Sequence, residues 1–335
     1  MDFIMRLLQP TPIQAKLGLR AFKTIMLADP ELNNLTELQI RTLEAAQKFV
    51  TFTHYSMDEI DEPIKPIELQ QGFTDQALRQ QLVEAMVIMS IVNGSPKPEQ
   101  VTLILQLAKA LEVDKSIVNA LHKLVHQHQH MYAFDILRHM YIGEGIAKIW
   151  HEEQFKGLFK TIGGMRGFYE DPELAQKYEQ LGQLPSGTLG KEFWQFYKDH
   201  QFSFPGQKYG SPEMITNHDM AHVLGGYNTT ESGELQVASF TAGFRNKGRV
   251  WILLFIISQF HLGIKTVPIN APLSTGKFNP EEELLAMQRG SLMNVDLFNN
   301  WNYWAVVNSK MDDLRKKYNI VPNEEVIDAI KQSNA

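Results

Sequence analysis

The chain has 335 residues, 44% of them hydrophobic, with a formal net charge of −6 and no cysteine. A polypeptide of this size and make-up fills one large globular domain or two ordinary ones, and is not a disordered, fibrous or repeat protein; its acidic balance offers no basic footprint to nucleic acid. The missing thiols exclude disulfides, thiolate zinc sites and cysteine nucleophiles and fit a reducing compartment, so any transition-metal site must use histidine and carboxylates.

The first residues lack a basic region followed by a long apolar run, so no secretory signal is expected. Apolar residues then recur three and four apart almost everywhere, with no convincing run of period two, which predicts an all-α fold. Residues 63–72 read as a proline-containing connector. A helix is expected over 74–92, with Leu78, Leu82, Met86 and Met89 on one side, and others over 98–111, 116–130 and 133–150. Glycines at 163–167 and the pair Asp171-Pro172 break the chain near its midpoint. The main domain boundary is therefore set at 155–170, giving an N-terminal helical segment 1–36, a helical domain 37–160 and a second helical domain 161–335. The turns at 184–187 and 204–206 bracket a short helix over 189–199. The strongest apolar run, 250–258, meets Gln259 and His261 well short of the roughly 20 residues a bilayer span needs. Trp301, Trp304, Val307, Met311, Leu314 and Tyr318 then step by three or four, the stripe of one more helix.

The segment 217–226 carries the strongest chemical signal. On a helix successive residues turn by about 100°, so His218, Asp219 and His222 project into one arc. Two imidazoles four apart on a helical face are a spacing that zinc sites use. Gly225-Gly226 predicts the helix stop. After a polar loop, Glu234 opens a helix over 234–244, whose Ala238, Ser239, Ala242 and Gly243 permit close packing. Its carboxylate would complete a His/His/Asp/Glu set that suits Zn2+ and tolerates other divalent ions. Spacing alone supports a plain polar helix face equally well.

Two motifs in register extend this. Leu184-Pro185-Ser186-Gly187-Thr188-Leu189-Gly190 precedes His218-Asp219-x-x-His222, and Glu234 follows after eleven residues; Trp304 through Leu314-Arg315-Lys316-Lys317-Tyr318-Asn319-Ile320 closes the pattern. Over residues 170–320 the chain resembles the coenzyme Q (ubiquinone) biosynthesis family, whose hallmark is H-D-x-x-H, eleven residues and E after an L-P-x-G-T-L-G turn. The resemblance implies a helical, lipid-binding protein that is cytoplasmic and peripheral on the inner membrane. It implies a divalent metal, usually zinc, held by His218, Asp219, His222 and Glu234, which are also the expected catalytic residues. The implied activity is that of a metal-dependent carboxy-lyase, acting oxidatively or not at C1 of a polyprenylated hydroxybenzoate-type intermediate. Organisation of the pathway's other enzymes is implied beside it, and a homo-oligomer is compatible with it. A metal suits this chemistry, because decarboxylation builds electron density on the ring and a Lewis acid on a ring oxygen stabilises it. An apolar tunnel beside the metal is expected to hold the isoprenoid tail.

Two other readings stand beside this one. The first is a non-catalytic isoprenoid-binding scaffold on the same fold, with a structural metal. The second is an HD-type metal phosphohydrolase, for which His200 and Asp296 would have to reach the same ion; it leaves Glu234 and the 184–190 turn unexplained.

Weaker signals remain. Arg245, Lys247 and Arg249 precede the apolar run, and a solvated turn before a core helix is preferred to a collar meeting lipid headgroups. Trp301, Tyr303 and Trp304 are read as packing. His122, His126 and His130 share a helical face, beside His128, and are read as a solvated polar surface. Residues 92–99, Val92-Asn93-Gly94-Ser95-Pro96-Lys97-Pro98-Glu99, are similar to the D-G-x-x-x-x-E turn of TerB-like tellurite-resistance domains, with Asn93 where that pattern has Asp. That resemblance covers 37–155 and implies a helical bundle serving as an interaction or regulatory module, although a plain helix start explains 95–99 as well. Asp58, Glu59, Asp61 and Glu62 form an acidic group without a motif. Residues 20–30 are similar to the start of the quinone family, which would make the TerB-like part an insertion.

Overall fold

The computed structural model describes residues 7–140, 169–266, 272–299 and 301–333. Among them the all-α expectation holds, and strand character is limited to two isolated bridges, Thr188 with Lys310 and Leu262 with Thr275.

Helix α1 (Pro12–Leu27) opens on a reciprocal cap in which the Thr11 hydroxyl accepts from the Gln14 N–H and the Gln14 side chain accepts from the Thr11 N–H. Helix α2 (Glu37–Ala46) runs into a π-helical turn, Gln47–Thr51. The expected connector at 63–72 is partly helical, α3 (Pro66–Gly72), because Pro66 supplies the fixed φ of a first helical position. Helices α4 (Gln76–Ile91) and α5 (Pro98–Leu111) agree with the periodicity. The break between the helices expected over 116–130 and 133–150 falls about four residues early, with α6 (Ser116–Val125) and α7 (Gln129–His139) separated by Gln127 with a left-handed φ of 62°. Neither glycine nor proline marks that break, so periodicity runs straight through it. Residues 141–150 of the next expected helix, the glycines at 163–167 and most of the expected domain boundary lie outside the described residues.

The second half comprises α8 (Pro172–Glu179), α9 (Leu189–Asp199), α10 (Thr216–Gly225), α11 (Glu231–Phe244), α12 (Arg249–Phe260), α13 (Pro280–Ser291), α14 (Met311–Tyr318) and α15 (Val326–Ser333). The apolar stripe of 301–318 is not one helix. Tyr303–Ala305 is a single 3-10 turn and only α14 is α-helical. The backbone between them is committed elsewhere: Leu189 N–H donates to Ser309 O (2.9 Å), Gly190 N–H to Val307 O (2.8 Å) and Met311 N–H to Gly187 O (2.8 Å). The turn at 184–190 and the segment before α14 are thereby clasped together.

Two cores result. The smaller is aromatic-rich and gathers Tyr178, Phe193, Tyr197, Phe204, Phe240 and Phe244 around α9, α10 and α11. The larger spans both sides of the midpoint, combining α1 and α4–α7 with Leu235, Ala238 and most of α12. Polar contacts reinforce that union: the Tyr132 and Ser258 hydroxyls meet at 2.6 Å, His261 Nε2 donates to Val92 O at 2.7 Å, and Arg41 pairs with Glu281. Helices α11 and α13 touch backbone to backbone, since a Cβ on Gly243 would lie 2.1 Å from Met287 O and one on Gly290 2.0 Å from Phe240 O. The acidic group at 58–62 has a structural reason: Asp61 and Glu62 neutralise Lys23 and Arg20, both buried on α1. Among the described residues no helix is long and apolar enough to cross a membrane.

Candidate metal centre

Helix α10 delivers both imidazoles. It follows a 3-10 turn, Glu213–Ile215, that is tied down by a buried cluster in which the Tyr178 and Tyr303 hydroxyls meet at 2.5 Å and Tyr303 donates to Glu213 Oε1 at 2.8 Å. The helix ends where expected, at Gly226 with φ 74°. Met220, Ala221 and Leu224 are buried in the aromatic core, which leaves His218, Asp219 and His222 toward the neighbouring α11 and the loop after α9. Helix α11 starts three residues earlier than the sequence suggests, capped by Thr230, so Glu234 sits within its first turn rather than at its start.

His218, His222 and Glu234 converge. His218 Nε2 lies 3.2 Å from His222 Nε2 and 3.3 Å from Glu234 Oε2, and His222 Nε2 lies 3.3 Å from Glu234 Oε1. Bonds of about 2.0–2.1 Å to a tetrahedral Zn2+ would set donor atoms roughly 3.3–3.4 Å apart; the two imidazoles already have that spacing, each faces a different oxygen of Glu234, and one donor atom from each of the three residues lies within 4.8 Å of the others. His222 is 2% exposed, and its Nδ1–H donates to Tyr227 O (3.2 Å), which fixes the tautomer and turns the lone pair of Nε2 inward. The Phe196 ring lies against the same imidazole, 5.7 Å between centroids. Among the described residues this is the one group of three or more His or acidic side chains spaced to hold a metal ion. Histidine and carboxylate donors of this kind fit a divalent transition metal.

Electrostatics follow from burial and pairing. Burial works against charge on both partners, but the hydrogen bonds and attraction between them outweigh it: His218 rises above an ordinary imidazole, and Glu234 falls below the usual carboxylate range. Asp219 does not join the three donors. Its carboxylate accepts from the Tyr197 hydroxyl, and burial pushes it up. It nevertheless lines, with His222 and Glu234, an open pocket of ≈400 Å3 whose other walls include Phe196, Phe202, Tyr209 and Thr229. A second pocket of ≈400 Å3 reaches His222 from the side of His200, Glu192 and Arg315.

The remaining candidates fall elsewhere. His200 packs on Phe196 and Phe202. Asp296 is buried, facing Arg245 at 3.7 Å and accepting from the Asn246 and Phe298 N–H groups. The pair that a phosphohydrolase would need is thus absent from the triad. Arg245 is buried, Arg249 half-buried and Lys247 exposed, so the stretch expected to be a solvated turn before a core helix is solvated only in part. The Nε2 atoms of His122 and His126 are 3.1 Å apart on the exposed end of α6, while His130 stands on the next helix, so the three do not share one face. An apolar cavity of ≈290 Å3 lies between α1, α4, α12 and α13, with Glu84 and Arg249 as its charged groups. It shares no lining residue with the pocket at the triad. This cavity is therefore not the apolar tunnel expected beside the metal. Sequence reasoning missed Tyr197, Phe196 and the Tyr227 carbonyl, and no local spacing signals them.

No known family model matches the chain. Over 99 residues it is 25% identical to the large ribosomal subunit protein uL16 of Onion yellows phytoplasma (strain OY-M), covering 29% of this chain and 68% of that protein. That likeness is too slight to assign a family.

Proposed function

We propose that the chain is a metal-dependent enzyme of ubiquinone biosynthesis that removes the C1 carboxyl group of a polyprenylated hydroxybenzoate-type acid. The observation that carries this reading is the convergence of His218, His222 and Glu234, one donor atom from each within 4.8 Å of the others, beside a ≈400 Å3 pocket with aromatic walls that His222 and Glu234 line. Three protein ligands beside an open position are the arrangement of catalytic rather than structural zinc sites. A divalent ion held there would supply a Lewis acid for a ring oxygen as electron density builds on the ring. In the reaction the bond from C1 to the carboxyl carbon breaks, CO2 departs, and a proton takes its place on the carbon that keeps the electron pair. We assign delivery of that proton to Asp219, which faces the same pocket and is oriented by Tyr197. Tyr227 O orients His222, and Phe196 excludes water from one side of its ring. We do not extend the ribosomal likeness to this chain, whose net charge of −6 does not favour an RNA backbone.

A second reading, an isoprenoid-binding scaffold that organises other enzymes of the pathway, is favoured by the separate apolar cavity at α1, α4, α12 and α13. A long chain bound there would sit apart from the triad.

The two readings separate on one experiment. Glu234→Gln and His222→Ala are expected to lose the metal found by elemental analysis of the purified protein, and cells carrying them should accumulate the carboxylated intermediate. Retention of metal together with unchanged quinone pools would rule out the enzymatic reading. Loss of metal with normal decarboxylation and a bound isoprenoid in organic extracts would support the scaffold instead.

A further inference from the structure

Phe202 and Tyr209 remain 43% and 65% exposed, and both line the pocket at the triad. Two residues of the loop that carries them, Gln201 (φ 57°) and Tyr209 (φ 62°), are left-handed, a conformation that bulky residues rarely adopt and that clusters at functional sites. The loop is nonetheless firmly built. Gln207 Oε1 accepts from the Phe204 N–H at 2.8 Å, the Gln207 N–H donates to Phe204 O at 3.0 Å, and the Gly210 N–H donates to Gln207 O at 2.9 Å. Phe202 is held by edge contacts with Phe196 (6.0 Å between centroids) and Tyr197 (5.7 Å). Left-handed strain at Tyr209 and exposure of both rings are thus kept by a hydrogen-bonded loop, in the wall of a pocket that reaches Asp219, His222 and Glu234 together. Aromatic walls favour flat π-faced ligands through stacked and edge contacts. A pocket of ≈400 Å3, at the small end of ligand sites, suits one substituted ring and leaves a long chain outside its mouth.

We propose that Phe202 and Tyr209 are the ring-contacting, specificity-determining residues of this pocket, and that they select a planar aromatic acid over a saturated one of the same size. The inference rests on the reading that a divalent ion occupies the triad.

Calorimetry on the full-length, Zn2+-loaded protein tests it, with benzoate and cyclohexanecarboxylate as probes, two acids that differ only in the saturation of the ring. The aromatic acid is expected to bind about tenfold more tightly. Phe202→Leu and Tyr209→Asn should reduce that preference to about threefold or less while zinc content stays at the wild-type level. Asparagine tolerates the left-handed backbone, so Tyr209→Asn should melt no lower than the wild type. Equal affinity for the two acids in the wild type, or an undiminished preference in both variants, overturns the inference while leaving the metal-dependent reading intact. A wild-type protein that binds no zinc overturns both.

Discussion

His218 and Glu234 carry opposite shifts from one cause, their mutual contact. In the metal-free protein, Glu234 contributes stability above the ordinary carboxylate pKa, and this is lost as pH falls through its lowered value. His218 contributes below the ordinary imidazole pKa, and this is lost as pH rises through its raised value. The metal-free pair therefore stabilises the fold in a mildly acidic window and fades toward alkaline pH. Metal loading follows the opposite trend, because the ion needs deprotonated imidazole and competes with the proton that Glu234 holds on His218. The difference in Tm between zinc-loaded and chelator-treated protein should thus widen steadily from about pH 5.5 to about pH 8; a difference that stays flat across that range would show that the triad does not bind the ion. The two histidines and Glu234 were legible because i,i+4 spacing and a nearby carboxylate leave a trace in the sequence. The fate of Asp219 was not, because its partner Tyr197 lies 22 positions away on another helix.

Helices were easier to anticipate than their ends. Gly226 after α10 acts through local backbone chemistry that a residue name discloses and stands at the expected boundary, whereas Asp75 caps α4 one residue beyond the start expected at 74. The loss of helix over 306–310 depends on hydrogen bonds to the distant 187–190 turn, so the apolar period ran on past it, whereas the break at Gln127 is closed locally, the Gln127 and His128 N–H groups donating to Leu124 O and Lys123 O. Small residues on α11 were also informative, and the structure gives them a sharper role. Gly243 and Gly290 sit where two helix backbones meet, with carbonyl oxygens 2.1 and 2.0 Å from where a Cβ would stand. Backbone cannot yield as a flexible side chain does, so Gly290→Ala must part α11 from α13. A loss of about 1–3 kcal/mol is expected, seen as a lower urea midpoint at an unchanged m-value. An unaltered midpoint would mean that the two helices are not packed this closely. Because α11 also carries Glu234, zinc affinity should fall with stability in this variant.

The two-domain expectation placed the division at 155–170, yet the larger core takes side chains from both sides of it. Trp251, Leu254, Ile256, Ile257 and Phe260 of α12 are buried in the same cluster as Ile25, Met86 and Leu121. His139 stacks on Trp251 at 4.1 Å, and Glu84 and Arg249 face one cavity from opposite halves of the sequence. Exposing those five α12 side chains would forfeit about 8–15 kcal/mol of burial, as much as the whole net stability of an ordinary domain, about 5–15 kcal/mol. The helices that carry the triad therefore depend on the N-terminal half for a surface to pack against. A fragment spanning 169–335 should lack a cooperative urea transition and bind zinc poorly, although all three donors are present in it. The full chain should unfold in one step, with coincident transitions by circular dichroism and tryptophan fluorescence. A fragment that folds cooperatively and retains zinc would show instead that the shared core adds to a self-sufficient metal-binding unit.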